Sequence, residues 1–168
     1  MLVYGDLNDE ERFLLRRSLL AAAVAVSAAS PGRGEETASE GFAAASLILD
    51  HRGDYVRYPL ITSLITWLEE QARTEQAFPD FVAVAQAPDA QAQAMETLRS
   101  VVGMLDTRVD EEEAAAYKGW LMRIAATVAA AGKEDQGFLG RGGVAVNDAE
   151  RQALAEIASV LGVEPPAI

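Results

Sequence analysis

The sequence predicts an all-α fold, a single-domain bundle of about six helices, and three observations carry that prediction. Apolar residues recur at three- and four-residue intervals through most of the chain. Three segments open with an Asn or Asp followed three positions later by Glu, the pattern that caps a helix N-terminus. Between the periodic stretches lie clusters rich in Pro and Gly, which end helices.

The first helix is predicted over residues 8–29. Asn8-Asp9-Glu10-Glu11 caps it, and Phe13, Leu15, Leu19, Leu20 and Val24 form a broad inward band. Ser30-Pro31-Gly32-Arg33-Gly34 stops it. A second helix is expected over residues 35–49, with Phe42 and Ser46 through Leu49 inward, ending at His51-Arg52-Gly53-Asp54. The third is marked by Ile61, Leu64, Ile65 and Leu68. Phe78-Pro79-Asp80 and Ala87-Pro88-Asp89 bracket a short segment that the pattern leaves open. Its Phe81-Val82-Ala83-Val84 and the later Val144-Ala145-Val146 are the longest strand-like alternations in the chain. Pro88 suits the first turn of the helix that carries Leu98, Val101, Val102 and Leu105.

Asp110-Glu111-Glu112-Glu113 opens the next helix, where Tyr117, Trp120, Leu121, Ile124 and Val128 extend one stripe over three turns. Asn147-Asp148-Ala149-Glu150 opens the last, with Leu154, Ile157, Ala158 and Leu161 inward and Gly162 as its stop. The domain is therefore expected to span residues 1–164, with a loose tail at 165–168.

Composition excludes several classes of function. The chain has 168 residues, 26 acidic against 14 basic, and a formal charge of -12. Its cations are scattered, so counterion release from nucleic-acid phosphates or docking on anionic lipid is not expected. Cysteine is absent and His51 is the single histidine, which leaves thiolate and histidine-rich metal centres without ligands. Arg16-Arg17 before the apolar run Leu19–Ala29 resembles an export signal. The region before it is acidic, however, through Asp6, Asp9, Glu10 and Glu11, and the run is too short to span a bilayer. A buried first helix in a cytoplasmic protein, without membrane insertion, is the expectation.

Ile124 through Lys133 is an alanine-rich helix leading into a glycine-rich turn, then a capped helix ending in Leu161-Gly162. That order resembles the repeat of the TerB-like family, an all-helical group named for a tellurite-resistance protein. Ala21 through Ala29, the turn at Pro31–Gly34 and Glu40 beyond it resemble a second copy, so two helix–loop–helix repeats related by duplication are implied. The loop Gly137-Phe138-Leu139-Gly140-Arg141-Gly142-Gly143 also resembles that of a group of uncharacterised bacterial proteins. TerB-like repeats carry Asp-Gly directly after the alanine helix. Here the first copy has Ser30-Pro31-Gly32, and in the second the acid is displaced to Glu134-Asp135.

Two candidate sites follow from the residues. Glu134, Asp135, Asp148 and Glu150 form an acidic set around the glycine-rich loop, suited to calcium or magnesium if the loop folds back, although Glu150 also reads as a cap. Tyr55, Arg57 and Tyr58 mix aromatics with arginine, as contact surfaces do, while Phe138 and Arg141 project from the loop. The same tyrosines are equally compatible with a loop packed onto the bundle. The glycine-rich loop lacks the strand, lysine and hydroxyl of a phosphate cradle. No serine elbow or second histidine accompanies His51, so nucleophilic chemistry has no candidate set and no enzyme activity is expected. The leading expectation is a non-catalytic protein that contacts another protein or a second copy of itself, with a stress-response role implied by the TerB-like resemblance. A divalent-cation-binding regulator is the alternative.

Overall fold

A computed structural model describes residues 1–30, 34–50, 52–74, 80–131 and 146–167, the side chains of 34–36 excepted. Among them are seven helices and no strand: α1 (Asp9–Ser27), α2 (Gly34–Asp50), α3 (Pro59–Arg73), α4 (Phe81–Ala85), α5 (Ala90–Arg108), α6 (Glu111–Ala131) and α7 (Asp148–Leu161). Single 3-10 turns at Tyr4–Asp6 and Arg52–Tyr55 precede α1 and α3. The all-α, single-domain bundle expected from the periodicity is the architecture observed.

Helix α1 is the axis of the bundle, in contact with α2, α4, α5, α6 and α7. Its sequence explains that position. From Ala21 to Ser27 every residue is buried, and four of the seven are alanines, so neighbouring helices approach from all sides. The complementary surfaces are the stripes read from the sequence. Ile61, Leu64, Ile65 and Leu68 of α3, Leu98, Val101 and Leu105 of α5, and Leu154, Ile157, Ala158 and Leu161 of α7 are all buried. Tyr117, Trp120, Leu121, Ile124 and Val128 of α6 are at most 1% exposed. No helix among the described residues is long and apolar enough to cross a membrane.

The caps behave in two ways. Asn8 and Asn147 make the reciprocal box: each side chain accepts from the N3 amide at 2.9 Å, and Glu11 and Glu150 accept in return from the cap amides. Gly162 ends α7 in the left-handed region, with φ of 67°, a conformation that glycine adopts without steric cost. At α6, Asp110 accepts from the Glu113 amide at 3.0 Å, but the Glu113 side chain does not return to the cap. It crosses to the start of α3, where Oε1 accepts from the amides of Leu60 at 2.7 Å and Ile61 at 3.4 Å. Pro59 opens α3 without a side-chain cap, so a carboxylate 53 residues beyond Leu60 in sequence satisfies its orphan donors.

Three expectations are corrected. Phe42 does not face inward: it is 76% exposed, and α2 instead turns Thr37, Glu40, Ala44 and Ile48 to the core. Phe13 is not in the buried band of α1 but 52% exposed. Pro88 lies outside α5, which begins two residues later, after Asp89 in the left-handed region. The segment left open is helical: Asp80 accepts from the Ala83 amide and starts α4, whose five residues pack on α1, α2 and α5. Phe81 of α4 lies so close to Gly41 of α2 that a Cβ there would come within 2.6 Å of the ring.

Candidate functional site

Helices α1, α2, α3 and α4 leave an open groove between them, with a volume of about 430 Å³. Its described floor is apolar: Leu19, Leu20 and Ala23 from α1, Ala44, Ala45 and Ile48 from α2, and Leu68 from α3. Phe13, Trp67 and Phe81 supply aromatic walls, and Gly41 keeps the α2 side low beside Phe81. A second hollow of about 400 Å³, between α1, α4 and α5, shares Arg17 and Leu20 with the first. Together they form a trough across α1, with α4 seated over its middle.

The charged part of this groove follows from helical spacing. Phe13, Arg16 and Arg17 stand at i, i+3 and i+4, so their side chains meet on one face of α1. The Arg16 guanidinium lies 4.9 Å from the Trp67 ring centre and 5.9 Å from that of Phe13, and Arg17 lies 5.4 Å from Phe13. Two cations thus converge on one phenyl ring, held by its face. Tyr4 packs at a tilt against Trp67, with ring centres 5.5 Å apart, and its amide donates to Ser63 Oγ at 2.8 Å. Burial pushes the Tyr4 hydroxyl up in pKa, while Arg16 and Arg12 act in the opposite sense.

Arginine is the one ionisable residue type in the described lining of this groove. Neither Arg16 nor Arg17 has a carboxylate partner among the described residues. Such an arrangement has the chemistry for apolar contact and for anion recognition.

The structure separates the residues singled out by sequence. Tyr55 is buried, with its ring 5.5 Å from Trp120 and its hydroxyl accepting from Arg123 at 3.0 Å, so it belongs to the core. Burial raises the Tyr55 hydroxyl pKa, against the lowering effect of Arg123. Arg57 is exposed, donating to the Tyr58 hydroxyl and pairing with Glu112 at 3.1 Å. The 53–58 segment is thus a loop packed by Tyr55 onto α6, with Arg57 on its outside. Asp148 is paired with Arg151 at 3.1 Å, and Glu150 is engaged in its cap. Glu134, Asp135, Phe138 and Arg141 lie outside the described residues, as does His51. Among the described residues no group of three or more acidic or histidine side chains is placed to hold a metal ion.

The sequence does not single out the groove; in it Arg16-Arg17 resembles the basic pair of an export signal. The signal present in the sequence was the spacing of Phe13 to those arginines on an otherwise acidic helix start. No protein-family model matches the chain, and no curated protein or solved structure compared with it does either.

Proposed function

We propose that the chain is a non-catalytic interaction protein of TerB-like type that holds another protein in the groove between α1, α2, α3 and α4. The observation carrying this reading is an open apolar trough with aromatic walls, whose described ionisable side chains are two arginines without carboxylate partners among the described residues. A concave apolar surface with a few placed charged groups is the usual form of a binding site. The TerB-like part rests on the sequence resemblance, an alanine-rich helix, a glycine-rich turn and a capped helix from Ile124 to Gly162. The stress-response role comes with that resemblance.

A photo-crosslinking side chain tests the reading in the native cell. Placed at Ala45 in the groove, it is expected to give a discrete protein adduct; placed at Gly103, with open space around it on α5, it is expected to give none. Adducts of equal pattern from both positions, or none from Ala45, would count against a docking groove.

A further inference from the structure

We infer that the element docking in this groove is an amphipathic helix whose apolar face carries an acidic side chain, bound between Arg16 and Arg17. The inference rests on the proposed function and adds the chemistry of the partner.

Charge is the first argument. In a chain of net charge -12, most cations find a nearby acid: Arg52 reaches Glu69 at 2.9 Å, Arg108 reaches Glu11 at 2.9 Å and Arg123 reaches Asp54 at 3.2 Å. Among the described residues Arg16, Arg17 and the solitary Arg73 have no such partner, and Arg16 and Arg17 alone of these converge on one site. They approach the same ring, repel one another and, among the described residues, have aromatic faces as their neighbours in place of carboxylates. A carboxylate from outside relieves that repulsion and gains charge-assisted hydrogen bonds from guanidinium donors already positioned by the rings. A basic partner meets the reverse.

The form of the partner follows from α4. This five-residue apolar helix already lies on α1, α2 and α5, with the Phe81 ring against the bare backbone of Gly41. The surface is therefore shaped to seat a helix through an aromatic or aliphatic anchor, and the trough continues on both sides of α4 at Arg17 and Leu20. A helix presenting anchors at i, i+3, i+4 and i+7 matches that seat.

The test is a display library of helical 16-residue peptides, with leucine or phenylalanine at the four anchor positions and all others randomised. Selected on the wild-type protein, binders are expected to carry Asp or Glu beside the anchors, and to perturb Trp67 fluorescence. A single carboxylate replaced by its amide is expected to weaken binding about tenfold. The protein variant Arg16→Gln/Arg17→Gln is expected to remove the acidic preference, and Arg16→Lys/Arg17→Lys to retain part of it, each with an unchanged circular-dichroism spectrum. Binders without acidic preference, binders rich in lysine, or no binders at all would overturn the inference. If the Ala45 crosslink still captures a protein in those cases, the docking groove stands and the acidic helix falls; if it does not, both fall.

Discussion

Replacing Trp120 with alanine is expected to destabilise the protein by about 3–5 kcal/mol, the range for deleting a buried tryptophan. Trp120 is 1% exposed, edge-on to Tyr117 at 5.6 Å and tilted against Tyr55 at 5.5 Å, so its removal opens a cavity that both tyrosines border. For a domain of this length the loss corresponds to a fall in Tm of roughly 6–20 °C. Phenylalanine is expected to cost far less, about 1 kcal/mol. Two effects oppose each other there. The smaller ring leaves some volume empty, but Trp120 Nε1 is buried without a hydrogen-bond partner among the described residues, and phenylalanine removes that unsatisfied donor. Thermal melting of the two variants measures the difference. Equal losses would mean that the indole nitrogen is satisfied and the ring packing is not as described.

Glu113→Ala is expected to cost about 2 kcal/mol, because it leaves the Leu60 and Ile61 amides buried at the start of α3 with no acceptor. Glu113→Gln keeps an acceptor oxygen and is expected to lose about half as much. The two differ further in their response to pH. Burial of the Glu113 carboxyl, assisted by Asp110, raises its pKa above the ordinary value, with the Leu60 and Ile61 amides pulling the other way. The folded state thus keeps its proton to higher pH than the unfolded chain. Wild-type stability relative to Glu113→Gln is therefore greatest below the ordinary glutamate range, and falls as pH rises from that range through the raised folded value. Urea unfolding of both proteins across pH 4–7 checks this. A difference that grows with pH would mean the carboxylate is stabilised as an anion.

Glu113 also shows where local sequence stops being informative. Its tetrad is indistinguishable in type from those at Asn8 and Asn147, and in all three the N-cap side chain binds the N3 amide as expected. What differs is competition. An uncapped helix start at Pro59 lies within reach of Glu113, and no pattern within residues 110–113 records that. The same logic governs α2. Ala43, Ala44, Ala45, Leu47 and Leu49 allow several inward phases, and the one adopted carries Thr37 and Glu40 into the interior while Phe42 stays out. By contrast α3, α5, α6 and α7 have one apolar stripe each, and the structure buries those stripes almost residue for residue.

The groove was less legible than the bundle because it is a property of four helices at once. Spacing puts Phe13, Arg16 and Arg17 on one face, but Trp67 and Phe81 join them only when α3 and α4 close around α1. Helix α4 itself escapes periodicity analysis, being five residues long; Asp80 as its N-cap is the one local mark.

Trp67 reports directly on the central feature, a positive apolar groove on a strongly negative protein. In the Trp120→Phe variant Trp67 is the remaining tryptophan, and its fluorescence can be quenched by iodide or by caesium at constant ionic strength. Normalised to a free indole, iodide is expected to quench at least about twofold better, because Arg16 and Arg17 concentrate anions at the ring. Caesium quenching equal to or stronger than iodide, following the net charge of the whole chain, would contradict the groove as described.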